Sequence, residues 1–356
     1  MEAKITKLGS SIPVPCVQEL AKESSTTVPL RYVRPHQDSP IIFDSASLPQ
    51  VPVIDLQRLF SQEFMDLELN QLHHACKEWG FFQLINHEVS TSLVEKVKVE
   101  IEEFFKLPME EKMKYWQKAG EIEGLGQAFV VSEEQKLDWG DMFYMITLPH
   151  YLRKPHLFPN LPLSFRESLE AYSEEMKNLA LRVLNLMAKA LGMEPKEMTE
   201  AFEDGCQQMR MNYYPPCPQP ELVMGLNSHS DGGGLTILLQ VSDVEGLQIK
   251  YHGKWVPVKP LPNAFIVNIG GSLEVLTNGV YKTIEHRATV NSDKERISIA
   301  TFYSPKLDGE MGPAPSLVTS ERPAEFRKIG VADFWRSYLS KELNGTKYLD
   351  FLRVHK

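Results

Sequence analysis

The chain has 356 residues, 42% of them hydrophobic, with 38 Lys and Arg against 47 Asp and Glu and a formal net charge of −9. That size and apolar content suffice for one large catalytic domain plus an extension, or for two modest domains. The acidic balance and the lack of any basic run exclude the phosphate-neutralising surface of a nucleic-acid binder, and no stretch approaches the roughly 20 apolar residues of a membrane span.

Met1 to Pro15 contains no long apolar run, so a secretory signal is excluded. Cys16, Cys76, Cys206 and Cys217 form no CxxC pair and read as reduced thiols of a soluble, cytoplasmic protein. Residues 1–50 lack periodicity and are expected to be an irregular arm with one short helix near Cys16–Lys22. Residues 51–160 read as a mixed region. Val51–Asp55 is a short buried strand, Leu67–Trp79 a helix and Phe81–Asn86 a strand. Helices follow near 91–106 and 109–116, the second opening on Pro108 with Glu110 and Glu111 in its first turn. Residues 121–160 read as loop-rich. Residues 161–204 are packing helices, dominated by an amphipathic helix over Ser164–Leu191.

Between 205 and 305 the texture changes to short strands separated by Gly, Pro and Asn. They are expected at Met209–Tyr214, Leu235–Val241, Leu247–Lys250, Trp255–Val258, Ala264–Ile269, Tyr281–Ala288 and Ile297–Tyr303. Residues 306–356 form a helical extension, with helix over 331–353. The fold class is α+β: helices, then a small barrel or sandwich, then helices.

Chemistry concentrates in the strand region. His229-Ser230-Asp231 places two ligand types two residues apart on one face of a strand end, and His286 lies further along. Two imidazoles and a carboxylate occupy one face of an octahedral Fe(II) and leave positions open for a bidentate cosubstrate and O2. Arg296-Ile297-Ser298 puts a guanidinium and a hydroxyl on one strand face, a seat for the distal carboxylate of a dicarboxylate such as 2-oxoglutarate. Arg210–Tyr214 alternates up to Pro215-Pro216, and Tyr214 can reach the same carboxylate. Gly232-Gly233-Gly234 reads as a close turn beside the metal, since no Lys-Ser/Thr follows to make a phosphate loop. Phe129, Asp141, Phe143, Tyr144 and Phe302 are the candidate substrate contacts, and the aromatics among them suit a flat, apolar or aromatic small molecule.

These residues resemble the plant 2-oxoglutarate- and Fe(II)-dependent dioxygenase family, which has the isopenicillin-N-synthase-like fold. The senescence-related-gene-like branch, with its opiate O-demethylases, is nearest in texture. The resemblance rests on VPVIDL (51–56), ACKEWGFFQLINH (75–87), RMNYYPPCPQPE (210–221), SHSD (228–231), TNGVYKTIEHRATVN (277–291) and ERISIATFY (295–303). It implies a distorted double-stranded β-helix, or jelly roll, occupying 205–305. It implies His229, Asp231 and His286 as iron ligands, and Arg296, Ser298, Tyr214 and, more weakly, Asn212 as 2-oxoglutarate contacts. The implied reaction is hydroxylation or O-demethylation of a plant specialised metabolite by a monomeric enzyme, with O2 as cosubstrate, succinate and CO2 as products, and ascorbate as the assay reductant. Two rivals stand beside it. A non-oxidative enzyme or metabolite-binding protein on this scaffold has no need of Arg296 and Ser298. A structural zinc protein wants four closed ligands.

Two departures from the family pattern are visible. Glu88 follows Asn86-His87 where the family has Gly, and Gly271 follows Asn268-Ile269-Gly270 where it has Asp. The expectation at Gly271 is a tolerant turn, in which Asp would slightly stabilise the fold.

Overall fold

A computed structural model describes residues 11–23, 26–34, 49–340 and 347–354. The chain passes through α1 (Val17–Leu20), β1 (Val53–Asp55), α2 (Met65–His74), β2 (Phe81–Ile85), α3 (Thr91–Lys106), α4 (Met109–Lys112), β3 (Gly124–Gly126), β4 (Asp141–Leu148), α5 (Leu163–Leu191) and α6 (Pro195–Phe202). The strand-rich part holds β5 (Cys206–Tyr214), β6 (Leu226–His229), β7 (Leu235–Gln240), β8 (Leu247–Tyr251), β9 (Lys254–Pro257), β10 (Phe265–Ile269), α7 (Gly271–Leu276), β11 (His286–Ala288) and β12 (Arg296–Ser304). After it come α8 (Val331–Leu339) and a 3-10 segment, Lys347–Leu352.

The strands form an eight-stranded sheet ordered β1-β2-β10-β7-β12-β5-β4-β3 and a four-stranded sheet ordered β6-β11-β8-β9. Side chains of both sheets line one internal cavity, so the sheets face each other as the two walls of a distorted double-stranded β-helix. Period-two alternation sorts the large sheet. On β12, Ile297, Ile299 and Tyr303 enter the core cluster, while Arg296, Ser298, Ala300 and Phe302 face the cavity. On β5, Met209, Met211 and Tyr213 are core, whereas Arg210, Asn212 and Tyr214 face inward. On β7, Leu235, Ile237 and Leu239 are core, and Thr236 and Leu238 are cavity residues. α5 lies across β4, β7 and β12 on the far side and buries Phe165, Leu169, Tyr172, Met176 and Val183. The polar inner face is therefore backed by a continuous apolar layer, which holds its strands in register.

Four expectations are corrected. The loop-rich stretch 121–160 also holds a strand that was not expected: β4 pairs with β5 from Asp141↔Tyr213 to Leu148↔Gln207. Its sequence hides the strand because both faces are covered and the polar alternation is lost. The strand expected over Tyr281–Ala288 is only His286–Ala288. Side chains take up the preceding amides, Thr277 Oγ1 accepting from Tyr281 N–H (3.2 Å) and Glu274 Oε2 from Thr283 N–H (2.9 Å). The helix expected over Leu67–Trp79 starts at Met65 and finishes in a π turn, Ala75–Trp79. That turn closes on Gly80 at φ 61°, where a Cβ would strike the Lys282 carbonyl and the Ile284 side chain. The C-terminal helix ends at Leu339, and residues 341–346 lie outside the described residues.

Candidate metal centre and the cavities beside it

β6 and β11 pair with His286 opposite His229, which brings two distant imidazoles to 4.3 Å between ring centroids. Asp231 follows in the turn to β7, and its Oδ1 lies 3.6 Å from His229 Nε2 and 3.7 Å from His286 Nε2. Each ring is oriented by a carbonyl two residues back. His229 Nδ1 lies 2.8 Å from Asn227 O and His286 Nδ1 3.1 Å from Ile284 O. A carbonyl only accepts, so Nδ1 carries the proton and the Nε2 lone pairs point at the shared centre. Asp231 Oδ2 accepts from Thr236 Oγ1 (2.6 Å) and Asn268 Nδ2 (2.8 Å), which leaves Oδ1 for a cation. Burial and the neighbouring His286 push the His229 imidazolium pKa down to about 3, so the ring is neutral. Burial alone would raise the Asp231 pKa, but both imidazoles and the Thr236 and Asn268 bonds outweigh it and hold the carboxyl below its usual range. Three converging donors without a cysteine suit a cation that keeps open positions, and fall short of a closed structural zinc site.

Two cavities meet at this centre and share Arg210, His229, Asp231 and Phe302. One runs between the sheets to Arg296, which is 2% exposed. Its guanidinium donates from NH2 to Gln240 Oε1 (2.8 Å) and from NH1 to Ser298 Oγ (3.4 Å), and stands 5.4 Å from the centre of the Tyr214 ring. Its Nε has no hydrogen-bond partner, and no described carboxylate pairs with it. Burial lowers the Arg296 pKa, the cost of a desolvated cation that lacks a counter-ion. Asn212 Nδ2 reaches Ser298 Oγ at 3.5 Å, while Asn212 Oδ1 is buried and unbonded. The unpartnered Arg296 Nε–H, a buried donor, fits a bound carboxylate, whereas Asn212 Oδ1 can only accept.

The second cavity is an aromatic chamber lined by Phe129, Tyr144, Phe302, Trp335 and Tyr338, with Ile122, Met142 and Leu339 between them. Its cation is Arg210, whose Nε is also buried without a partner. Phe129 sits at φ 64°, a strained backbone for an aromatic residue, with its ring edge-on to Tyr338 at 5.8 Å. The N-terminal arm steadies that loop. Ser11 Oγ donates to Gln127 O (2.9 Å) and Ile12 N–H to Val130 O (2.8 Å).

A model of the 2OG-Fe(II) oxygenase superfamily matches residues 205–305, and one of the N-terminal region of the non-haem dioxygenase in morphine synthesis matches 51–161. The chain belongs to the 2OG-Fe(II) oxygenase superfamily. It is a 2-oxoglutarate-dependent dioxygenase, with Fe(II) as cofactor and 2-oxoglutarate and O2 as cosubstrates. It is 55% identical to oxoglutarate-dependent flavonoid 7-O-demethylase 1 of Ocimum basilicum, over 99% of this chain and 94% of that one. It is 54% identical to codeine O-demethylase of Papaver somniferum, over 98% and 99%. A crystal structure of JOX2 in complex with 2OG, Fe and JA superposes with a TM-score of 0.87 at 36% identity, over 97% of this chain and 99% of that one.

In this oxygenase the seven predicted metal and cosubstrate residues, His229, Asp231, His286, Arg296, Ser298, Tyr214 and Asn212, line one cavity. Of the predicted substrate contacts, Phe129, Tyr144 and Phe302 line the chamber. Asp141 and Phe143 are corrected. On β4, Met142 and Tyr144 face the chamber, so 141 and 143 point the other way. Phe143 stacks on Phe104 at 4.6 Å in the core, and the Asp141 carboxylate accepts from Val17 N–H (2.9 Å), Gln18 N–H (2.7 Å) and the Cys16 thiol (3.2 Å). The tolerance expected at Gly271 is corrected too, because Tyr348 fills the space a side chain would need. Thr236, Asn268, Gln240 and Arg210 went unpredicted as site residues. A signal was available for Asn268, the one polar residue of the apolar strand Phe265–Ile269, and for Thr236 and Gln240, the two polar residues of Leu235–Gln240, but not for Arg210, whose strand is rich in polar residues. Trp335, Tyr338 and Leu339 carry no such mark, because an amphipathic helix end looks the same against a core or a chamber.

Proposed function

We propose that His229, Asp231 and His286 hold Fe(II), and that Arg296, Ser298 and Tyr214, with Asn212 beside them, seat the distal carboxylate of 2-oxoglutarate. The substrate is a small plant specialised metabolite (a flavonoid, alkaloid, coumarin or terpenoid) that is hydroxylated or O-demethylated. The observation that carries this reading is Arg296, a buried guanidinium without a carboxylate partner, in the same cavity as the three metal donors. Bound iron supplies the oxidation of a C–H bond by O2, with 2-oxoglutarate leaving as succinate and CO2.

The chain's own residues orient and enclose. Arg296 and Ser298 set the direction in which the dicarboxylate enters. His229 and Asp231 stand where the two cavities meet, so a substrate carbon in the chamber faces the metal side. Phe129, Phe302 and Trp335 stack on flat rings and exclude water. Arg210 faces the substrate's most electron-rich oxygen. The likeness to flavonoid and codeine O-demethylases supports attack on an O-methyl carbon, where the hydroxylated product collapses to a phenol and formaldehyde. The enzyme is taken to act as a monomer, and the four cysteines are unpaired and buried, which supports a reducing compartment such as the cytoplasm. Among the described residues no helix is long and apolar enough to cross a membrane.

The test is incubation with Fe(II), 2-oxoglutarate, ascorbate and O2 over a panel of methoxylated flavonoids, coumarins, alkaloids and terpenoids. Succinate stoichiometric with product is expected, with formaldehyde wherever a methyl group is lost. Metabolite binding with no succinate from any panel member would replace the reading with a non-oxidative binder.

A further inference from the structure

The C-terminal segment that walls the chamber also grips the metal motif. Two tyrosine hydroxyls reach its backbone, Tyr338 donating to Ser230 O (3.1 Å) and Tyr348 to Asp231 O (2.7 Å). From the other side Gly271 N–H donates to the same Asp231 carbonyl (2.7 Å), and Ser272 N–H and Oγ donate to Gly232 O (3.1 and 2.8 Å). Asp231 is thus held at its carbonyl by two donors and at Oδ2 by two more, and these four bonds set where Oδ1 points.

Gly271 is explained by the same contact. Its φ lies outside the left-handed region, so backbone conformation does not require glycine there. Space does. A Cβ would overlap the Tyr348 hydroxyl and lie 2.9 and 3.0 Å from ring carbons Cε2 and Cζ. The ring has no cheap escape, being bonded to Asp231 O, set edge-on to Tyr338 at 4.9 Å and flanked by Phe334 at 6.2 Å. The glycine and the phenol therefore form one feature: the side chain missing at 271 is the room that Tyr348 occupies.

We infer that Tyr348 is a positioning residue for Asp231, and that Gly271 is the partner it requires. The inference rests on the metal reading above. The C-terminal segment then tunes metal affinity, although it supplies no ligand.

The experiment is Mn(II) binding to the intact apo-protein, followed by calorimetry without 2-oxoglutarate, with thermal unfolding recorded in parallel. Tyr348→Phe should weaken Mn(II) about 5- to 10-fold, at the low end of outer-partner effects because it acts through the main chain. Tyr338→Phe, which loses a bond to a residue that is not a ligand, should change affinity by about 2-fold at most. Leu349→Ala removes a side chain 1% exposed from the same segment without touching Asp231. It should lower Tm and leave Mn(II) affinity within about 2-fold. Gly271→Asp, which displaces the ring and strains the Asp231 turn as well as losing the bond, should weaken binding more than Tyr348→Phe, and Tyr348→Ala added to Gly271→Asp should recover the part of that loss beyond Tyr348→Phe. If Leu349→Ala weakens Mn(II) as much as Tyr348→Phe, the effect is general stability and the inference is overturned. It is overturned equally if Tyr348→Phe binds like the parent, or if the double variant recovers nothing. Asp231→Ala separates the two levels: unchanged Mn(II) binding there removes the metal reading itself, whereas lost binding leaves the Tyr348 result to be judged alone.

Discussion

The two cavities differ in how they are built. Asp231 apart, the cosubstrate side is lined by strands, chiefly β5, β6, β7, β11 and β12 with single residues from β2, β8 and β10, whose side chains are placed by pleat and register. The chamber shares Arg210, His229, Asp231 and Phe302 with it, and adds the loop around Phe129, the inner face of β4 that follows that loop, and the distant end of α8. Strands backed by a packed layer hold a constellation closely, and irregular segments on that scaffold change without moving it. The fold thus separates a rigid place for oxidation chemistry from an adjustable place for recognition.

The hardest test of that separation is removal of a donor. His229→Ala, Asp231→Ala or His286→Ala should each weaken metal binding by more than ~100-fold, beyond the loss typical of an outer partner, and abolish turnover. Calorimetry with Mn(II) and a succinate assay check both, and near-normal turnover in all three variants would end the assignment. Next is Arg296→Lys, which keeps the charge but loses the forked geometry. The 2-oxoglutarate requirement should rise ~10-fold or more, from a charge-assisted pair worth roughly 1.5–3 kcal/mol. Substrate KM should hold, and if it moved as much as the 2-oxoglutarate KM the two cavities would not be independent. Asp141→Asn probes the chamber's support. One of the arm's amides loses its acceptor, at a cost of about 1–2 kcal/mol. A lower Tm and a higher substrate KM are expected, with the 2-oxoglutarate KM unchanged. The smallest effect is at Glu88, which sits at φ 66° and is paired with Arg182 on the surface. A left-handed residue costs about 1–2 kcal/mol and an exposed ion pair returns about 0–1 kcal/mol. Glu88→Gly should therefore stabilise by about 0.5 kcal/mol with unchanged kinetics, measured by urea unfolding.

The same contrast governs what could be read from the sequence. The cosubstrate side was legible because its chemistry sits on alternating strands: Arg296 and Ser298, or Asn212 and Tyr214, share a face by parity alone. The chamber was half legible. Phe129, Tyr144 and Phe302 were placed by aromatic character, but without knowing that 141–148 is a strand there was no parity to separate Tyr144 from Asp141 and Phe143. Trp335 and Tyr338 were invisible as chamber residues because their approach to the metal motif depends on how α8 docks, a tertiary fact with no local pattern. At Gly271 the departure was visible and its cause was not, since Tyr348 lies far along the chain and meets it only in the fold.

The hold of the N-terminal arm on this region bears on any attempt to exchange specificity between related enzymes. Ser11 and Ile12 fasten the two sides of the Phe129 loop, and the amides of Val17 and Gln18 end on Asp141, on the reverse of the strand that carries Tyr144. A graft of the Phe129 loop and β4 alone would therefore arrive with a foreign latch, and its strained backbone would have nothing matched to hold it. The transferable unit is discontinuous: the arm, the loop with its strand, and the C-terminal wall travel together, while the strands that carry the metal donors stay behind as a common chassis.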